Sequence, residues 1–225
     1  MLRKMLAIIK RDLKLNFTTT SNIITPIIFF LVSIAIFPFA ISNDPKILRL
    51  IGPGIILCSL LLSSSLVSHY LFEADYEDGT QEQMFLASIP GYIVMMAKIV
   101  IHYLCVICPI LATGFFVGLF FDLTIKEIFF TIIIFSVASP LFSAISCLGA
   151  AIALNSKRGG FIAVFISLPL EISAIIFTSE AATSIINSDN YYISYQSIAM
   201  LLGLVFILLP LSCFFGGIII NNSTK

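Results

Sequence analysis

Charge is scarce in this chain: 11% of its 225 residues are Asp, Glu, Lys or Arg, against about 25% in a soluble domain. With 59% apolar residues, too few charges remain to clothe a water-facing surface, so the composition indicates an integral membrane protein. Twelve Lys and Arg balance twelve Asp and Glu, which gives no reason to expect a nucleic-acid partner. No GxxxxGK[ST] phosphate loop is present, so the chain is not itself a P-loop ATPase. There is no HExxH, no GxSxG, no intramembrane acid pair and no internal repeat, and an intramembrane enzyme has little support. Tryptophan is absent, which leaves Tyr70, Tyr92, Tyr191, Tyr192 and Tyr195 as interface anchors. Cys58, Cys105, Cys108, Cys147 and Cys213 all sit inside apolar runs and lack metal-site or haem-attachment spacing, so they read as small hydrophobes.

A helix crosses the hydrocarbon core in about 20 apolar residues. That ruler predicts six spans, at 23–41, 50–68, 92–119, 128–154, 161–178 and 197–220. Pro26, Pro38, Pro109, Pro140, Pro169 and Pro210 lie within them as candidate kinks, tolerated where neighbouring helices re-satisfy the freed backbone groups. Gly114 with Gly118, and Gly149 with Ala153, have the small-xxx-small spacing of close helix contacts within the bundle. The stretch 179–194 reads as an outer connector.

Lys and Arg set the orientation. With the N-terminus inside, Arg3, Lys4, Lys10, Arg11, Lys14, Lys157, Arg158 and Lys225 are cytoplasmic, against Lys46, Arg49 and Lys126 outside. Both termini are therefore expected in the cytoplasm. Residues 1–20 read as an amphipathic helix in the interface and not as a cleaved signal. Leu2, Met5, Leu6, Ile9, Leu13 and Phe17 gather on one face and Arg3, Lys4, Lys10, Arg11 and Lys14 on the other, with Ala7, Ile8 and Leu15 as exceptions.

The stretch 72–90, FEADYEDGTQEQMFLASIP, holds Glu73, Asp75, Glu77, Asp78 and Glu82 without a Lys or Arg. Gly79 after Asp78 predicts a turn, and Thr80 with Gln83 resembles a capping box opening a short helix to Leu86 or Ala87. A short acidic helix with apolar Phe72, Met84, Phe85 and Leu86 suits a groove on a cytoplasmic partner, charge setting its orientation; a solvated charge run is the plainer alternative.

At this loop the sequence resembles the haem exporter protein B (CcmB) family. Phe72, Asp75, Tyr76, Glu77, Asp78, Gly79, Glu82, Gln83 and Pro90 match its pattern. So do Arg11, Asp12 and Leu13, Phe37 and Pro38, Pro53 and Gly54, Ala97, Lys98 and His102, Pro140, Arg158 to Gly160, and Leu168 to Leu170. The pattern departs at Glu171 and Ser173. The resemblance implies an all-α permease of ABC-2 type occupying 1–225: an interfacial elbow helix, six spans, and a cytoplasmic coupling helix within 72–90. It further implies a homodimer in a bacterial, or organellar, inner membrane. The implied partners are an ATP-hydrolysing subunit (CcmA) that carries ATP and Mg, a haem-handling membrane protein (CcmC), a small membrane protein (CcmD) and a periplasmic haem chaperone (CcmE). The implied activity is ATP-driven haem handling or release of the loaded chaperone in cytochrome c biogenesis, with Phe72, Asp75, Tyr76, Glu77, Asp78, Gly79, Glu82 and Gln83 coupling the ATPase to the membrane. A permease for another amphiphile and a passive anchor are the alternatives.

Haem iron accepts imidazole, which draws attention to His69 at the end of the second span and His102 deep in the third. Lys98, His102 and Cys105 share one helix face. They read either as a wall for haem, as cargo, or as interhelical hydrogen bonding, and the second reading is preferred. Lys98 has the reach to snorkel towards the cytoplasmic end. The chain has no tryptophan-rich haem platform, which shifts haem binding to partners. Glu171, an acid within the fifth span, completes the candidate intramembrane polar site, lining a route or hinge or serving as a neutral hydrogen-bonded carboxyl.

Overall fold

The computed structural model describes residues 1–18, 21–41, 44–154, 159–187 and 195–223. The sequence expectations at Lys157, Arg158, Asp189, Tyr191, Tyr192 and Lys225, and at the Phe17 side chain, lie outside the described residues. Every regular element among the described residues is helical, and six stretches are long and apolar enough to cross a membrane. The chain is an all-α, multi-pass membrane protein.

Helix α1 (Leu2–Thr18) packs against α6 (Gly91–His102), and this contact rotates its buried face away from the predicted one. Ile8, an exception in the sequence pattern, is 5% exposed, whereas Leu2 and Leu6 are 69% and 53% exposed. The predicted apolar face is thus divided between the bundle and the outside. Helix α2 (Ser21–Ile41) is peripheral, burying Phe30 and Ile34 while Ile28, Val32, Ile36 and Phe39 face outwards.

Helix α3 (Pro45–Val67) begins five residues before the predicted span. Asp44 caps it by accepting from the Lys46 N–H at 2.9 Å, and Pro45 suits a first turn whose N–H groups need no intrahelical partner. The chain continues through α4 (Tyr70–Glu77) and α5 (Thr80–Leu86), with Gly79 between them at φ +69°. The predicted turn is therefore present, but the capping box is not. Gly79, not Thr80, occupies the cap position, because the left-handed turn starts the helix one residue earlier.

The third span consists of α6, a π-helical turn at Tyr103–Ile107, α7 (Cys108–Gly118) and a 3-10 turn at Leu119–Phe121. Pro109 has no N–H to return to the preceding turn, and the widened turn lies just before it. Helix α8 (Ile125–Ile152) opens on a capping box: the Glu127 N–H reaches Thr124 Oγ1 at 3.4 Å and the Thr124 N–H reaches Glu127 Oε2 at 2.8 Å. It is the central helix, packed on α9 (Gly159–Asn187), α10 (Tyr195–Ser223), α6 and α3. Pro140, Pro169 and Pro210 lie inside these helices without ending them.

The fifth span does not stop at 178; it runs on to Asn187, through what the sequence reads as connector. Its polar residues return their hydroxyls to the helix backbone, as in Thr183 Oγ1 to the Ser179 carbonyl at 2.9 Å and Ser184 Oγ to that of Ala181 at 2.8 Å. Ala181, Ala182 and Ile185 meanwhile stay fully buried. Both small-residue motifs pack within the chain: a Cβ on Gly118 would meet Ile128, and one on Gly149 would meet Ala163 and Ser167.

Candidate functional site

One end of the bundle gathers α1, the α4–α5 pair, the start of α6 and the end of α10. Lys4 Nζ donates to the Ala87 carbonyl at 2.9 Å and so closes the free end of α5. Gln81 Nε2 donates to the Ile220 carbonyl at 3.2 Å. The α4–α5 pair is thereby held on both sides.

Its residues divide by direction. Phe72, Asp75, Gln81 and Met84 point into the protein, with Phe72 2% exposed. Glu73, Tyr76, Glu77, Asp78, Glu82, Gln83, Phe85 and Leu86 face out, Leu86 being 82% exposed. The outward face thus presents four carboxylates beside Tyr76, Phe85 and Leu86, and Gly79 turns one helix into the other.

Asp75 roots this face. One terminal nitrogen of Arg11, on α1, donates to both Asp75 carboxylate oxygens at 2.8 Å, and Arg11 Nε donates to Asp12 Oδ1 at 2.7 Å. Lys98 of α6 closes the ring, its Nζ 2.5 Å from Asp75 Oδ2 and 2.9 Å from Asp12 Oδ2. The Lys98–Asp12 contact is an ion pair lying off hydrogen-bond alignment. Each cation touches both anions, and Lys98 also stands 5.8 Å from the centre of the Phe72 ring. Asp12 and Lys98 are both 3% exposed, so loss of any member would leave a buried charge uncompensated. Burial opposes the charge on Arg11, but Asp75 and Asp12 outweigh it and raise its pKa further above an already high value. A cavity of about 240 Å³ opens beside the ring, where Asp12, Asp75 and Lys98 share its wall with Asn16, Asn22 and Leu71.

The expected intramembrane polar site, Lys98, His102 and Glu171, falls into two places. Lys98, His102 and Cys105 are all buried, but Lys98 bends to the ion ring while His102 enters a separate seam of hydroxyls. His102 Nε2 lies 3.1 Å from the Ser64 carbonyl and Nδ1 lies 3.1 Å from Ser143 Oγ. A carbonyl only accepts, so Nε2 carries the proton and Nδ1 accepts from Ser143. In the neighbouring part of the seam Ser146 donates to Glu171 Oε1 at 2.8 Å and meets Ser65 at 3.4 Å, tying α8 to α9 and α3. Glu171 is fully buried. Among the basic residues of α1, Arg3, Lys10 and Lys14 are exposed, while Lys4 and Arg11 are engaged as described.

Three ring members, Arg11, Asp12 and Lys98, stand outside the coupling set expected from the sequence, and Asp12 alone belongs to none of the expected site sets. Asp12 carries a signal in retrospect: it shares the helix face of Ile8 and Ile9, and an acid on an apolar stripe calls for a buried cation. The hydroxyl partners Ser64, Ser143 and Ser146 carry none, since serine is common in spans.

The family model described as CcmB protein matches residues 3–221. Heme exporter protein B of Haemophilus influenzae is 31% identical over 198 residues, covering 88% of each chain. Heme exporter protein B of Escherichia coli K12 is 30% identical over 174 residues, 77% of this chain and 79% of that one. The Pseudomonas aeruginosa protein of the same name is 29% identical over 77% of this chain and 78% of its own.

Proposed function

Because this chain belongs to the CcmB family, we propose that it is the membrane subunit of an ABC-type haem exporter complex serving cytochrome c maturation. In this reading it sits in a bacterial inner membrane with both termini in the cytoplasm. It pairs with a second copy, and the ATP-hydrolysing subunit (CcmA) docks on the α4–α5 face. CcmC, CcmD and CcmE are the further partners, and the output is haem handling or release of the loaded chaperone.

The observation that carries the reading is the outward face of α4–α5. Four carboxylates and three large apolar or aromatic side chains stand exposed on two short helices, while the inward face of the same helices is fastened to the bundle through Asp75. Such a projection suits a partner with a basic, partly apolar groove, where complementary charge sets the docking orientation. A solvated charge run needs no buried root; this one has it.

The test is genetic and direct. Deleting the gene should abolish covalent c-type haem in membranes, and the native gene should restore it. Replacement by Asp78→Lys/Glu82→Lys, both exposed positions, should leave the chain in the membrane yet fail to restore haem and fail to retain the ATPase on purification. Normal c-type haem in the deletion strain would overturn the reading, as would labelling of a cysteine at Asp78 from the outer side only.

A further inference from the structure

The ion ring joins three elements that are far apart in sequence, and its position says what moves with what. Asp75 belongs to the helix that bears the docking face, Arg11 and Asp12 to the surface helix, and Lys98 to the third span. Directly after His102 the third span loses its regular pairing at Tyr103–Ile107, and Pro109 follows. The span is therefore stiff from Gly91 to His102 and weakened just after it. Lys98 lies in the stiff half. The contacts of Lys4 with Ala87 and of Gln81 with Ile220 brace the same end.

We infer that Lys98 is the positioning residue through which displacement of α4–α5 enters the membrane: the ion ring makes α1, α4 and the inner half of the third span one rigid body, which bends against α7 at the π-helical turn. This inference rests on the proposed coupling role of α4–α5. The ring suits it because each carboxylate is held by two cations on different elements. A push on α4 cannot slide past α6 without parting Lys98 from Asp75 in a site where both are largely shielded from water. The π-helical turn suits it because a locally re-paired backbone is where a long helix yields.

The experiment uses the assembled complex with its ATPase, with spin labels introduced as unnatural amino acids so that the native cysteines stay. Labels at Lys10 and Glu77, both exposed, should keep the same separation in the nucleotide-free complex and in the complex trapped with ADP and vanadate. Labels at Glu77 and Phe116, which is 67% exposed on the outer half, should change theirs. In Lys98→Met the Lys10–Glu77 separation should broaden, and c-type haem should fall to the level of the deletion strain while ATP hydrolysis by the complex persists; Lys98→Arg should restore both. If Lys98→Met fails to assemble, Asp12→Asn/Lys98→Met removes one charge of each sign, keeps the Arg11–Asp75 pair, and should show the same uncoupling. A Lys10–Glu77 separation that changes on trapping in the native complex overturns the rigid body. An unchanged Glu77–Phe116 separation overturns the hinge, as full c-type haem with Lys98→Met overturns the role of Lys98. A strain whose c-type haem does not depend on the chain counts instead against the functional reading beneath it.

Discussion

His102 holds the carbonyl oxygen of Ser64 at 3.1 Å, from the third span to the second, with its other nitrogen taken by Ser143. Both ring nitrogens are thus engaged within the protein, and an iron atom would have to displace one of these partners. We expect His102→Ala to lower thermal stability by about 2–4 kcal/mol through lost packing and stranded partners. His102→Gln should recover part of that loss. Haem titrated against the purified native chain and the Gln variant should give the same absorption spectrum; a band present only with His102 would show that the imidazole reaches iron.

Glu171 is fully buried and Ser146 supplies a hydrogen bond to one of its oxygens. The amide of Glu171→Gln can keep that bond and needs no countercharge, so the variant should match or exceed the native melting temperature and support normal c-type haem. Glu171→Leu should cost about 1–3 kcal/mol, because the Ser146 hydroxyl loses a buried partner. Thermal unfolding in detergent compares the two, and loss of c-type haem in a stable Gln variant would show that the charge itself is used.

The start of α6 and the end of α10 approach closely. A Cβ at Gly217 would stand 2.6 Å from the backbone nitrogen of Tyr92, and one at Gly216 would stand 2.7 Å from Met95 Sδ. Backbone cannot swing aside as a flexible thioether can. Gly217→Ala should therefore cost about 1–3 kcal/mol, the usual range for overpacking, and Gly216→Ala less. Gly203→Ala, with nothing within 4 Å of the added atom, should be neutral or slightly stabilising. Melting temperatures of the three variants check the order.

Gly79 has open space around it but sits at φ +69°. Its constraint is the backbone and not the packing. Gly79→Ala should cost about 1 kcal/mol and Gly79→Asn less, since Asn tolerates the left-handed region. Gly79→Val should splay α4 from α5 and weaken retention of the ATPase subunit while the chain remains in the membrane. Copurification of the two subunits measures this.

The spans and the acidic turn were legible because their signals are local: a run of apolar residues, a glycine after an aspartate. The readings that differ from the structure turn on backbone geometry at one residue or on contacts across the fold. Thr80 and Gln83 have the letters of a capping box, but Gly79 in the left-handed region already starts α5 and puts Thr80 inside the helix. An apolar-run ruler ends the fifth span at 178, whereas α9 continues to Asn187 because its polar residues fold their hydroxyls back on their own helix. Lys98 could be seen to be anomalous, and its tendency to reach for the near surface follows from its flexible stem. That it would meet Asp12 and Asp75, rather than share a site with His102, depends on how α1 and α4 lie across α6. No spacing in the sequence encodes that.

The bracing of the surface helix also bears on how the molecule is made. Lys4 and Arg11 emerge from the ribosome long before Ala87, Asp75 and Lys98, the groups that hold them. Until the third span is made, α1 lacks the helix it packs against most, and Asp12 lacks Lys98. The segment synthesised early is consequently completed late, once α4 and α6 have supplied the groups that hold it.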